Sequence, residues 1–319
     1  MSQGFWLKLK KPFFILAPMH DITDIAFRQM FVNYGKPDVF YTEFVSADGL
    51  CSIGKKKLLQ CLAFKKNEKP IVAQLFGSNP DNFFKAAKII KTLGFDGIDI
   101  NMGCPDKKIE KQGAGAILIK NFKLAREIIR ATKNGADQLP VSIKTRVGYE
   151  KNILTTWLNE LLAEEPVAIA IHARTKKELF SPPAHWEAVK EAVEIAKKSK
   201  TLIIGNGDIT SFEEGKIKAK ETGADGIMIG RATIGNPWIF NSKKNIQSIS
   251  PKEKIMAVKK HILLFNQHLQ GIKKFVTLKK YFKGYLNGFP EAKIIRMKLM
   301  ETNDLKEIEK ILQIYLSKL

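Results

Sequence analysis

Short apolar runs, rich in β-branched residues, recur along the chain at 13–19 (FFILAPM), 38–44 (DVFYTEF), 70–77 (PIVAQLFG), 97–103 (GIDINMG), 140–148 (PVSIKTRVG), 167–175 (VAIAIHART), 201–208 (TLIIGNGD) and 226–232 (GIMIGRA). Between them lie stretches of helical period such as DNFFKAAKIIKTLG at 81–94. Runs that are apolar on both faces predict parallel strands covered by helices, because alternating patterns belong to sheets with one face in water. Eight such units over this length predict a (β/α)8 TIM barrel of the α/β class, with an open doubly wound sheet as the competing fold.

Polar side chains gather at the C-terminal ends of these runs: Met19 and Glu43, Gln74 and Asn101, Lys144, His172 and Arg174, Asn206 and Asp208, and Arg231. A strand buried on both faces accommodates a glutamine, lysine or histidine where it reaches the rim, and in a barrel all of these ends share one rim. Any one of them alone is equally well read as a loop cap.

After NPWIF (236–240) the pattern changes to a polar linker, NSKKNIQSIS, and then to helical spacing only. Ser250, Pro251 and Glu253 supply an N-cap, a proline at the first helical position and a capping-box acid. Gly271 and Gly288 are stops, and Asp304 with Glu307 offers a further start, so 251–319 reads as a small bundle of about four helices. The expected division is a barrel domain over 1–242 and a helical domain over 243–319.

Composition adds a partner. A formal charge of +21, with 53 Lys and Arg against 32 Asp and Glu in 319 residues, points to a polyanion such as nucleic acid. The charge is segregated: no acidic residue lies between Glu253 and Glu291, where eight lysines fall. Phe275, Leu278, Phe282 and Tyr285 interleave with them at helical spacing and read as core. Lys279, Lys280 and Lys283 are the candidate contacts to a phosphate backbone. Three cysteines without a CxxC pair, and no histidine cluster at ligand spacing, favour neither a disulfide framework nor a metal site. The N-terminal apolar stretch is broken by Pro18 and Asp21, so neither a signal peptide nor a membrane span is expected, and a cytoplasmic location is.

GNGD (205–208) and IGRA (229–232) end the seventh and eighth runs, the place where barrels commonly bind phosphate through loop amides. Neither stretch satisfies GxGxxG. GLCSIGKK (49–56) approaches a Walker A loop but has Lys56 where a hydroxyl should hold magnesium. A phosphate site after the last strands, a lysine on the fifth and an amide on the third suit flavin mononucleotide (FMN), with Lys144 near N1 and Gln74 on the ring's polar edge. A buried lysine paired with a carboxylate is the alternative for Lys144.

ILAPMHDITDIAFR, TEFVSADGL, AQLFGSNP, GIDINMGCPDKKIEKQGAGAILIKN, IHARTKKELFSPPAHW, GADGIMIGRATIGNPWIF and YFKGYLNGFPEAKIIRMKL, in this order, resemble the tRNA-dihydrouridine synthases through nearly the whole chain. The resemblance implies an FMN-containing barrel with a C-terminal helical domain that grips tRNA, using NADPH to reduce uridines, D-loop positions among them, to 5,6-dihydrouridine. It carries FMN contacts to Pro18, Met19, Gln74, Lys144, His172, Asn206, Gly207, Asp208, Gly230 and Arg231, with His20 beside them, and makes Cys104 the proton donor. Asn101 and Arg174 are then the candidates for holding the uracil. The chain departs from the family where His20-Asp21 replaces the usual Ala-Gly and where Ala173 stands in an often HGRT segment. A monomer is expected. The rival readings are a small-molecule FMN oxidoreductase of dihydroorotate-dehydrogenase type and a non-catalytic tRNA-binding protein.

Overall fold

The computed structural model describes residues 4–244 and 246–318. Nine strands form one sheet: β1 (Phe13–Leu16), β2 (Phe40–Tyr41), β3 (Val45–Ser46), β4 (Ile71–Phe76), β5 (Gly97–Met102), β6 (Val141–Gly148), β7 (Ala168–Thr175), β8 (Leu202–Asn206) and β9 (Gly226–Ile229). Every pairing is parallel, in the order β1-β9-β8-β7-β6-β5-β4-β2. The run expected as one strand at 38–44 gives two short ones, β2 and β3, which both pair with β4. They form one stave. The seam between β1 and β2 is joined by a bridge at Ile15 and Val39, where the Leu16 N–H donates to the Val39 carbonyl at 3.1 Å. Eight staves therefore enclose the predicted barrel.

The interior is divided by polarity. Towards the strand N-termini it is filled by Phe13, Ile15, Val72, Ala170, Ile204 and Met228, and Trp6 of the 3-10 turn Gly4–Lys8 packs edge-on against Phe13, ring centroids 5.8 Å apart. That mouth is plugged. Towards the C-termini the inward residues are polar and their register sets them side by side: Gln74 beside Asp99, Asn101 beside Lys144, Arg146 beside His172, and His172 beside Asn206. Alternation along each strand puts residues two apart on the same face, so the register fixes which side chains meet.

The covering helices follow their sequence signals. Pro80–Thr92 is capped by Asn79, begins with proline, and buries Phe83, Ala86, Ala87 and Ile90 at helical spacing. It packs on Phe122–Ala136 at a close crossing where a Cβ on Gly135 would stand 2.2 Å from the Phe84 carbonyl oxygen.

Contacts separate the chain into two compact units: the barrel, made of residues up to His20 with Asp38–Gly230, and a helical unit, made of Asp21–Pro37 with residues from Arg231 on. Residues 21–37 and 231–242, which the division expected at 242/243 assigns to the barrel, group with the helical unit. The reason is the aromatic face of the helix Ile25–Tyr34. Phe27 stacks on Tyr281 at 5.1 Å, Phe31 meets Phe240 edge-on at 5.6 Å, and Tyr34 meets Trp238 at 5.1 Å. The helix Pro251–Leu269 starts at the Ser250 and Glu253 capping box, and Ala292–Glu301 and Leu305–Leu316 follow, the latter capped by Asp304. Among the described residues no helix is long and apolar enough to cross a membrane.

Candidate active site at the C-terminal mouth of the barrel

Cys104 sits two residues beyond β5, and its position is fixed from both sides. The Asn101 side-chain oxygen accepts the N–H groups of Gly103 (3.2 Å) and Cys104 (2.9 Å), an Asx-type turn that swings the chain off the strand. On return, the Ala116 N–H donates to the Cys104 carbonyl at 3.0 Å. Gly115 permits that approach: its φ is +72°, and a Cβ there would stand 2.8 Å from the Cys104 oxygen. The thiol is half-buried. Burial pushes its pKa up, and the Asp106 amide, Arg146 and Lys144 pull only partly against this.

Beneath it lies a buried polar network. The Asp99 carboxylate accepts from Gln74 Nε2 at 2.7 Å and Ser142 Oγ at 2.6 Å, while Gln74 Oε1 accepts from Asn101 Nδ2 at 3.0 Å. Tyr41 completes it, its hydroxyl 3.2 Å from Ser142 Oγ. Burial raises the Asp99 carboxyl to about 6 against the donors that hold its charged form. Gln74, expected on the flavin's edge, is fully buried, with its amide between Asp99 and Asn101.

Lys144 points into the mouth and donates to Asn206 Oδ1 at 3.0 Å, and Asn206 in turn donates to the Met228 carbonyl at 2.8 Å. Desolvation and the nearby Arg146 charge lower the Lys144 ammonium to about 8. Arg146, two residues on and so on the same face, donates from Nε to the Gly103 carbonyl (2.8 Å) and from Nη1 to the Thr175 (2.9 Å) and Leu179 (3.1 Å) carbonyls. It ties the cysteine loop to the loop after β7. Burial lowers its pKa to about 10.

Arg174 is also buried. Its guanidinium pairs with Asp208, donates to the Pro182 carbonyl at 2.6 Å and lies 3.3 Å from His172 Nε2; the Ala184 N–H joins on Asp208 at 3.0 Å. It is a latch between the loops that follow β7 and β8. Gly207 has φ +136°, and a Cβ on it would come within 2.8 Å of Ala184 Cβ. Pro18 is buried, Met19 half-buried near Gly230, and exposed His20 stacks on Phe44 at 5.2 Å. Arg231 is exposed and opens the 3-10 turn Arg231–Thr233.

In the helical unit, Lys279 corrects the sequence expectation. It is buried, and its ammonium donates to the Met300 carbonyl at 2.7 Å at the end of Ala292–Glu301, so it is not on the cationic surface. Lys280 pairs with Asp21 at 2.8 Å, while Lys283 is exposed.

Asp99, Ser142, Tyr41 and Arg146 escaped the sequence reading. A signal exists in the spacing: Ser142, Lys144 and Arg146, like Asp99 and Asn101, lie two apart within strand runs, which puts them on one inward face.

A closed parallel barrel, plugged at one mouth and lined at the other by ionisable groups with shifted pKa values and a loop-held thiol, defines a TIM-barrel enzyme with its active site at the C-terminal rim. A family model described as "Dihydrouridine synthase (Dus)" matches residues 15–319. A "Probable tRNA-dihydrouridine synthase" of Staphylococcus aureus (strain COL) is 39% identical over 320 residues, covering 98% of this chain and 95% of that protein. A "Probable tRNA-dihydrouridine synthase 2" of Bacillus subtilis (strain 168) is 38% identical over 317 residues, covering 98% and 96%. The chain belongs to the dihydrouridine synthase family, and with the family come FMN dependence and oxidoreductase activity on tRNA. Among solved structures, histamine dehydrogenase from Rhizobium sp. 4-9 aligns with a TM-score of 0.56 at 14% identity, over 79% of this chain and 48% of that one, a likeness of fold.

The residues at the mouth fit FMN. Lys144 spends one of its three N–H donors on Asn206, which leaves cationic donors for an electron-rich ring edge. Gly230 is only partly buried, and even a Cβ there would meet only ordinary contacts, Ala17 at 3.6 Å and Met19 at 3.7 Å, so a phosphate can approach its backbone closely.

Proposed function

We propose that this protein reduces the C5=C6 bond of specific uridines in tRNA, those of the D-loop, to 5,6-dihydrouridine, with NADPH as reductant and Cys104 as the proton donor. The observation that carries this reading is the Cys104 thiol: loop-held, half-buried and pushed up in pKa at the end of β5, on the rim that also holds Lys144. FMN, when bound, supplies the hydride that goes to uracil C6.

The rest falls to the chain. Lys144, oriented by Asn206, supplies positive charge to the flavin ring, and the backbone at Gly230 receives the phosphate. A hydride arriving at C6 leaves an electron pair on C5, delocalised to the C4 carbonyl oxygen. The Cys104 S–H protonates C5, and the resulting thiolate takes a proton back from water. A thiol is suited to this when it stays protonated at neutral pH, and burial keeps Cys104 so. Asn101 serves the step by aiming the Cys104 backbone rather than by touching the base. A uridine reaches such a mouth by leaving its stack in the RNA, and exposed lysines of the helical unit such as Lys283 meet phosphates of the same RNA. The cytoplasm, where tRNA is found, is then its compartment.

A Cys104→Ala variant tests the assignment. It should keep its bound flavin and its rate of flavin reduction by NADPH, while formation of dihydrouridine from reduced enzyme falls by roughly 10²–10⁴-fold. Wild-type dihydrouridine formation in this variant would remove Cys104 from the mechanism.

A further inference from the structure

The segment 254–290 has no acidic residue of its own, yet its lysines are not uniformly free. Lys254 donates to the Asn287 carbonyl at 2.9 Å, and Lys259 reaches Glu309 at 3.3 Å. Lys273 and Lys280 converge on a single carboxylate. Asp21 Oδ1 is 3.0 Å from Lys273 Nζ and Asp21 Oδ2 is 2.8 Å from Lys280 Nζ, one ammonium on each oxygen, and Lys280 also donates to the Asp21 carbonyl.

Several features mark this as a built anion site. Lys273 is anchored a second time, on Asp24 Oδ2 at 3.1 Å, and Asp24 itself caps the helix Ile25–Tyr34 by accepting the Phe27 N–H at 3.0 Å. The Tyr281 hydroxyl donates to the Ile22 carbonyl at 2.8 Å, which fixes the strand of chain beside Asp21. The lysine side chains are 15% and 32% exposed, whereas that of Asp21 is 46% exposed. The cations are thus held from behind and the anion faces water. Burial opposes ionising Asp21, but the two ammonium groups overcome it and hold its carboxyl below the usual range. Asp21 also has φ +55°, in the left-handed region that glycine occupies without cost, at the position where the family resemblance puts glycine. A residue with a side chain is tolerated there, aspartate better than most, and here the side chain has a partner to justify the strain.

We propose that Asp21 stands in for a backbone phosphate of tRNA: the pair Lys273 and Lys280 is a phosphodiester site of the helical unit, filled internally by the Asp21 carboxylate until RNA displaces it. A phosphodiester presents two non-bridging oxygens that share one negative charge, as a carboxylate does, so one oxygen to each ammonium serves both ligands. The internal anion keeps the two lysines ordered and lowers the net gain from binding RNA, since an ion pair must break for each contact made. It tunes affinity downward. This inference rests on the proposed tRNA substrate.

Asp21→Asn keeps the shape and the tolerance for positive φ while removing the charge. Holoenzyme binding to unmodified tRNA, followed by fluorescence anisotropy over a range of salt, should tighten several-fold at low salt. The slope of log K against log salt should steepen by up to about one, since the site takes one phosphate and each phosphate newly neutralised adds roughly 0.7–0.9. Adding Lys280→Ala to Asp21→Asn should abolish the gain. Weaker binding, or an unchanged slope, in Asp21→Asn would overturn the proposal and leave Asp21 a clasp of the helical unit. Absence of dihydrouridine from the wild-type enzyme would instead count against the tRNA substrate.

Discussion

At the scale of single residues, burial sets the chemistry at the barrel mouth. Desolvation raises Asp99 and Cys104 and lowers Lys144 and Arg146, so each group moves towards its neutral form. For Cys104 this means that uridine reduction should hold above the ordinary thiol range, about 8.5, and fall only as pH rises through the elevated pKa. For Lys144 the consequence is a stability effect. The folded protein releases this proton at about 8 and the unfolded chain at 10.5, so between those values the unfolded state holds more protons. Wild-type stability should therefore carry a rising contribution from pH 8 to 10.5 that is absent below 8, where the penalty is complete. Thermal melts of wild type and Lys144→Met across this range should show the rise in the first and not in the second; parallel curves would mean that Lys144 is not desolvated.

Residue identity was only half legible in the sequence. Lys144 and Asn206 are legible as polar residues of otherwise apolar runs, and Cys104 through the family resemblance. Asp99 is not legible, because a buried carboxylate in an apolar run is intelligible only once Gln74 and Ser142 are known to face it. Lys279 reads from the sequence as a surface cation, because helical spacing does not show which way a lysine turns, and its long stem lets the head reach a helix end from a buried position.

At the scale of elements, the loop from Cys104 to Gly115 is the part that must be held to close tolerance. Gly115→Ala forces a Cβ to 2.8 Å from the Cys104 oxygen and 3.0 Å from Ile109 Cγ2 at φ +72°. It should cost about 1–3 kcal/mol of stability. It should also lower uridine reduction more than flavin reduction by NADPH, because the thiol is displaced and Lys144 is not. Gly94→Ala is the control: its φ is +80°, yet nothing lies within 4 Å of the added Cβ, so it should show a stability cost without the kinetic split. Equal losses in both half-reactions for Gly115→Ala would mean that the loop does not position Cys104. The strands themselves were legible, since each of the eight runs is a stave. The division of β2 from β3, and the allegiance of the helix Ile25–Tyr34 to the helical unit, were not. Its pattern shows an apolar face, whereas Phe27, Phe31 and Tyr34 find their partners, Tyr281, Phe240 and Trp238, some two hundred residues away or more.

At the scale of the whole molecule, a charge of +21 is far more than solubility requires, and the acid-free segment 254–290 concentrates part of it. Some of those lysines are structural, as Lys254 and Lys279 are, while Lys274 and Lys283 are exposed and make no ion pair among the described residues. A small-molecule flavoenzyme would have little use for such a surface, and a binding protein without catalysis little use for a loop-held thiol at the mouth of the barrel. The most direct measurement is incubation of the flavin-loaded protein with NADPH and unmodified tRNA, followed by mapping of the RNA by mass spectrometry. A gain of two hydrogens on D-loop uridines, dependent on NADPH, is the result expected. A preparation that oxidises NADPH yet leaves every uridine unchanged would contradict the account.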